Sequence, residues 1–255
     1  MWQATSKLVE QDRPTCHLAA LAAKLCSFGL DCNQQEEAMP IKTIVFDASG
    51  TLLNDIYAVW KANSDAYAAL GLGSPGTLEE FKIRFKLPTA EFHRSNGIPL
   101  DLLKEVERKS RECYLQYAPG VGIFPDVNDV LQELRKRGAI LGVASNIPTL
   151  FLREHLKRFE IEGYFDTITG QEDCDEQKPS PKPILITIEK LGARPQEAMY
   201  VGDMEEDIIA GKMANVVTVA IVRNESYHPR WRLERQKPDF LISSLRELLP
   251  GGAVF

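Results

Sequence analysis

Long apolar runs are missing from this chain. No stretch approaches the roughly 20 residues that a helix needs to cross a bilayer, which argues against a membrane transporter or ion pump. No C-x-x-C pair occurs among the five cysteines, Cys16, Cys26, Cys32, Cys113 and Cys174. Their odd count and their scatter argue against both a disulfide framework and a zinc cluster, and suit a reducing cytoplasm. Positive charge is not in excess either: 30 Lys and Arg against 36 Asp and Glu give a net charge of −6. Such a chain has no general electrostatic attraction to nucleic acid or to an anionic membrane. Internal repeats and low-complexity tracts are absent. What remains is an ordinary globular composition, 44% apolar and 26% charged over 255 residues, enough to bury a substantial core.

The first 38 residues stand apart. Cys16 to Leu30 reads as a short apolar helix and Asp31 to Glu37 as a polar linker. Lys7 and Arg13 precede the apolar stretch as they would in a secretory signal, but His17 and Lys24 interrupt it and no clean cleavage pattern follows. Met39 sits just before the first strong strand. The folded domain is therefore expected to start near Met39, with residues 1–38 as an extension outside the core.

From Ile41 the pattern alternates. Ile41 to Asp47 (IKTIVFD) is a β-branched, apolar strand that ends in an acid, followed by a tight turn at Gly50. From Asp55 to about Ala118 apolar residues recur three and four apart, as in Ile56, Val59 and Trp60, the spacing of a helix face. Beyond Pro119 and Gly120, helices are expected at Asp126 to Arg137, Pro148 to Phe159, Pro183 to Leu191 and Glu205 to Ala214. Strands are expected at Ala139 to Ala144, Phe165 to Thr169, Ala198 to Val201, Val216 to Val222 and Phe240 to Ile242. This alternation implies an α/β fold: a Rossmann-like parallel sheet with helices on both faces. The expected division is a core of residues 39–54 and 119–255, with an all-helical cap, residues 55–118, inserted after the first strand. Ligands of such sheets bind beyond the carboxyl ends of the strands, and the cap would lie over that edge as a lid.

Four features fall at those ends: Asp47-Ala48-Ser49-Gly50-Thr51; Ser145-Asn146 after AILGVA; Lys178 in QKPSPKP; and Gly202-Asp203 with Asp207 four residues on. Singly, each has a plain structural explanation. An acid before glycine makes turns, Ser and Asn cap helices, a lysine among prolines is a solvated loop charge, and acids in a first helical turn answer the helix dipole. Four such features in order at successive strand ends are far harder to assign to chance.

Together they resemble the haloacid dehalogenase-like hydrolases, most of which are phosphatases. The resemblance runs from Ile41 to about Leu249 and implies a Rossmann-like core with a small helical cap. It also implies a small phosphorylated substrate, Mg²⁺ and an aspartyl-phosphate. Asp47 would be the nucleophile and, with Asp203 and the backbone carbonyl of Ser49, a metal ligand. Asp207 would hold metal-bound water or orient Lys178. Lys178 would neutralise charge on Asp47 and the phosphate. Ser145 and Asn146, with Gly50 and Thr51, would surround the phosphate. These roles are chemically coherent, because phosphoryl transfer needs an in-line nucleophile and positive charge around the equatorial oxygens.

The chain departs from the family at Ser49, where most phosphatases of this kind carry a second Asp that serves as general acid and then base. A serine hydroxyl has no accessible pKa near neutrality, and losing a positioned acid typically costs ~10² to 10⁴ in rate. Three enzymatic readings stay open: a phosphatase that recruits another acid, a phosphonate hydrolase using a cap lysine (Lys61, Lys82 or Lys86), or a metal-free 2-haloacid dehalogenase with Arg84 on the substrate carboxylate. A non-catalytic phospho-ligand-binding protein is a fourth. The pair Asp203 and Asp207 favours the phosphatase, since a metal-free site has no use for them. In the cap, Trp60 and Phe85 are expected in its core and His93 in solvent.

Overall fold

A computed structural model of the chain describes residues 41–254; the expected helix from Cys16 to Leu30, the linker and the boundary at Met39 lie outside the described residues. In chain order the strands are β1 (Thr43–Phe46), β2 (Leu53–Asn54), β3 (Gly122–Ile123), β4 (Ile140–Ala144), β5 (Thr167–Thr169), β6 (Ala198–Gly202), β7 (Val217–Ile221) and β8 (Phe240–Ile242). Six of them form one parallel sheet in the order β5-β4-β1-β6-β7-β8. The sequence places β1 at the centre because all four of its side chains are apolar or β-branched, and all four are buried. Alternate residues of a strand face opposite sides. Ile44 and Phe46 accordingly join one apolar layer with Leu131 and Leu141, while Val45 joins the other with Ile184 and Tyr200.

Helices cover both layers. On one side α5 (Val127–Lys136) buries Val127, Val130, Leu131 and Leu134, the i, i+3, i+4, i+7 stripe of an amphipathic helix. On the other, α7 (Lys182–Lys190) presents Ile184 and Ile188. α6 (Thr149–Arg158), α8 (Glu205–Met213) and the short α9 (Arg230–Arg235) complete the core. The α/β architecture expected from the alternating pattern is the one observed. β5 begins two residues later than expected: the Phe165 N–H closes the preceding turn on the Glu162 carbonyl (3.1 Å) instead of joining the sheet, and its ring packs edge-on against Phe46 with centroids 6.4 Å apart. α9 gave no periodic signal, being only six residues long.

Between β2 and β3 lie four helices: α1 (Ile56–Ala69), α2 (Leu78–Arg84), α3 (Thr89–Ser95) and α4 (Leu103–Tyr117). β2 and β3 pair antiparallel, with Leu53 opposite Ile123, so the two stems of the helical segment are pinned together. Ala62 and Ala66 of α1 meet Cys113 of α4, small residues that let the helix pair approach closely. The last turn of α2 and the α2–α3 loop are tied to the core by their backbone. Arg232 donates to the carbonyls of Ile83 (2.9 Å) and Phe85 (3.0 Å), His228 Nε2 bonds that of Phe85 (2.8 Å), and the N–H of Leu87 donates to Glu206 (3.1 Å).

Leu131 is fully buried at the centre of its layer. Leu131→Ala is expected to lower stability by ~2 to 5 kcal/mol through lost burial and a residual cavity, read by urea unfolding; a loss below ~1 kcal/mol would contradict this packing.

Candidate active site

Asp47 follows β1, Ser145 follows β4 and Asp203 follows β6, three neighbouring strands whose carboxyl ends converge. From β1 the chain runs outward through β4 to β5, then crosses back to β6 on the other side of β1 and continues outward through β7 to β8, so the strand order reverses beside β1, the switch point where α/β sheets form crevices. At its centre Lys178 is fully buried. Its Nζ donates to Asp47 Oδ1 (2.6 Å), Asp207 Oδ1 (2.7 Å) and the Tyr200 hydroxyl (2.9 Å). An ammonium has three protons, and each has a partner here. Burial would lower the lysine's pKa, but the charges of Asp207 and Asp47 outweigh it and hold the pKa well above its usual value. Asn146 fixes the same loop: its Oδ1 accepts from the Lys178 N–H (3.1 Å) and its Nδ2 faces the Lys178 carbonyl (3.4 Å).

Two glycines make the acids fit. Gly50 has φ +71°, and a Cβ there would fall 2.1 Å from Asp203 Oδ2; at Gly202 a Cβ would fall 2.4 Å from Asp207 Oδ2. Gly50 therefore lies against the Asp203 carboxylate. Neither Gly50 nor Thr51 lines the cavity described below, so the phosphate contacts expected of these two do not follow from their placement; Thr51 is buried with its hydroxyl unpartnered.

Atoms of Asp47, Asp203 and Asp207 lie within 4.8 Å of one another. Fully ionised, the three buried carboxylates would carry two negative charges beyond what one ammonium compensates. Burial pushes the Asp47 carboxyl up to about 6 despite Lys178, and burial with the neighbouring Asp207 and Asp47 raises Asp203 well above the carboxylate range. Asp203 Oδ2 accepts from the Tyr227 N–H (2.6 Å), whereas its Oδ1 is buried without a partner among the described residues. Orphaned buried oxygens are costly, and a divalent cation with oxygen ligands answers both this atom and the charge. The donor set fits Mg²⁺. Among the expected ligands Asp207 is the most occupied: its Oδ1 accepts from Lys178 and its Oδ2 from the Met204 N–H (2.9 Å), contacts that suit the lysine-orienting role of the two expected for it. A second acidic group, Glu205, Glu206 and His228, differs in kind, since both ring nitrogens of His228 already hold backbone partners.

A cavity of about 190 Å³ opens onto Asp47, Ser49, Ser145 and Lys178. Asp55 also lines it and carried no motif signal. It occupies the N-cap position of α1, where an Asp side chain normally bonds the helix's free N–H groups, yet it makes no such bond. Instead it accepts from the Ser49 hydroxyl (2.6 Å) and the Tyr227 hydroxyl (3.2 Å). Burial outweighs these bonds and lifts its carboxyl to about 7.

The cap residues correct several expectations. Arg84 is tied to Asn96 (2.9 Å) and the Pro75 carbonyl (2.6 Å), Lys61 pairs with Asp65 and Lys82 with Glu79, and neither these nor Lys86 line the cavity. Salt-bridge and loop partners hold these cations elsewhere. Trp60 bonds the Gly76 carbonyl, while Phe85 both packs in the cap cluster and lines the cavity. His93 is buried rather than solvated, because Tyr67 and Phe92 enclose it.

The family description "haloacid dehalogenase-like hydrolase" matches residues 44–221. The chain belongs to this family of hydrolases. It is 34% identical over 233 residues to a phosphoglycolate phosphatase of Escherichia coli O157:H7, covering 82% of this chain and 92% of the relative. To the pyrophosphatase PpaX of Oceanobacillus iheyensis it is 29% identical over 224 residues, 83% and 96% of the two chains. Its fold is similar to the crystal structures of a hydrolase from Pseudomonas syringae (TM-score 0.73, 19% identity, 82% and 97% covered) and of CbbY from Rhodobacter sphaeroides in complex with phosphate (TM-score 0.69, 22% identity, 84% and 97% covered).

The orphaned Asp203 oxygen gives a direct check on the ion. After chelation, added Mg²⁺ is expected to raise the melting temperature of the unaltered protein and to leave Asp203→Asn unmoved; an equal rise in both would place the ion elsewhere.

Proposed function

We propose that this protein is a Mg²⁺-dependent phosphatase of small organic phosphates that carries the phosphoryl group on Asp47. The observation behind this reading is the buried Lys178 ammonium holding Asp47 by one oxygen at the mouth of a cavity. One carboxylate oxygen stays with Lys178, and the other attacks phosphorus in line with the leaving oxygen. The Asp47–phosphorus bond forms as the ester bond breaks; water then attacks phosphorus and returns Asp47 as a carboxylate. Ser145, on the cavity wall, donates its hydroxyl to a phosphoryl oxygen. A Mg²⁺ ion held by Asp47, Asp203 and the Ser49 carbonyl would supply positive charge opposite the phosphoryl oxygens.

The proton that most relatives take from a second Asp is assigned to Ser49 backed by Asp55. Protonated Asp55 gives its proton to the Ser49 oxygen as Ser49 turns its own to the leaving group; Asp55, then a carboxylate, accepts from Ser49 in the observed direction as Ser49 takes the proton of the attacking water. The 2.6 Å bond between the two side chains supports this relay.

The phosphatase reading stands above its rivals on particular residues. A dehalogenase would gain nothing from the buried pair Asp203 and Asp207 and would lack Arg84 in its cavity. A phosphonate hydrolase would lack its cap lysine there. The cavity of about 190 Å³ sits below the ~300 to 1,000 Å³ of drug-sized pockets, which suits a small substrate. A cytoplasmic setting belongs to the same reading: Cys113 and Cys174 are free, and among the described residues no helix is long and apolar enough to cross a membrane.

Hydrolysis of matched alkyl and nitrophenyl phosphates tests this. Excess chelator is expected to abolish both. Asp55→Asn is expected to slow alkyl esters by ~10² to 10⁴ and to spare the nitrophenyl ester, whose leaving group needs no proton. Equal losses on both esters would remove Asp55 from proton transfer, and full activity in chelator would overturn the metal-dependent reading.

A further inference from the structure

His93 lies in α3, on the cap side of the cavity, and takes no part in the chemistry above. It is 2% exposed and yet lines the same cavity as Asp47 and Ser145. Its Nδ1 is 2.9 Å from the Tyr67 hydroxyl. A phenol carries one proton to donate, and Tyr67 is 1% exposed with no other acceptor for that proton among the described residues. The hydroxyl therefore donates to Nδ1. Burial pushes the imidazole down to about 4, so the ring is neutral near pH 7. With Nδ1 accepting, the ring proton sits on Nε2, and Nε2 has no partner within the described protein.

We propose that His93 presents its Nε2–H to an acceptor oxygen at the end of the substrate remote from phosphorus, and so selects phosphates whose carbon chain ends in such an oxygen. The inference rests on the phosphatase reading for its substrate and on the Tyr67 bond for its direction. The rest of the lining supports it: Val59, Phe85, Leu87 and Phe151 offer carbon to carbon. Because the ring is neutral, it serves a hydroxyl or carbonyl oxygen as well as a carboxylate. A substrate that fills the cavity without such an oxygen would cover this donor and leave it unpaired, and a site built on such a donor discriminates against it.

The test uses the whole protein with ¹⁵N-labelled histidine, and short ω-hydroxyalkyl phosphates against n-alkyl phosphates of equal chain length. Long-range ¹⁵N–¹H correlation is expected to show His93 protonated on Nε2 and not on Nδ1, and Tyr67→Phe is expected to mix the two tautomers. Titration with the hydroxyalkyl phosphate, but not the alkyl one, should shift the Nε2 signal. In kinetics, His93→Phe should cut the preference in kcat/KM for the hydroxyalkyl ester by ~10 to 100-fold, mainly through KM, with His93→Gln restoring part of it. Protonation on Nδ1, equal shifts with both compounds, no shift with either, or an equal fall on both esters would overturn the proposal. The nitrogen signals decide it even if neither ester is hydrolysed, a result that would instead strike at the phosphatase reading.

Discussion

A single ammonium group organises this molecule. Lys178 has no water to solvate it, and a lone buried charge costs several kcal/mol even after relaxation. It is tolerable only because Asp47, Asp207 and Tyr200 take its three protons in good geometry. Tyr200 in turn donates to the Ala144 carbonyl at the end of β4 (2.7 Å). The ends of β1, β4 and β6 are thus tied through one nitrogen. Removing Lys178 would strand both acids, an effect of ~3 to 5 kcal/mol for a broken buried pair, whereas removing one acid leaves the ammonium paired with the other. The same tie fixes which oxygen of Asp47 is held by Lys178; in the proposed mechanism the other is the one that reacts.

The remaining negative charge is what would draw a cation to the site. Asp203 adds a carboxylate that Lys178 does not reach, held in place by Gly50 on one side and the Tyr227 N–H on the other. Tyr227 then links this acid to Asp55 through its hydroxyl, and Asp55 links to Ser49. The chain of bonds runs from the strand ends into the first residue of the cap. Pinning of the cap stems by β2 and β3 keeps that first residue in register with the sheet edge.

Much of this was legible in the sequence, for reasons that can be located. A central parallel strand is apolar throughout, so IKTIVF could be read as β1, and an acid that ends such a strand stands out. Asp47, Ser145, Lys178 and Asp203 were found because each lies beside a strong strand or a proline-rich turn. Asp55 was not, because an acid opening a helix is the commonest of caps and only its missing cap bond betrays another use. Tyr227 lies in a loop without periodicity. His93 was misplaced in solvent because its seven-residue helix is too short to show a buried face, and Tyr67 is 26 residues away along the chain. Arg84, Lys61 and Lys82 show the converse: charge says nothing of direction, and each of these three has a nearer partner than the cavity.

The central claim is that Asp47 itself becomes phosphorylated. Acid quenching during turnover of a small phosphate ester, followed by peptide mass spectrometry, tests it most directly. The account predicts the added mass of one phosphoryl group on the peptide containing Asp47, located on that side chain and absent from Asp47→Asn. Steady hydrolysis with no phosphorylated Asp47 at any quench time, or with the label on another residue, would contradict it.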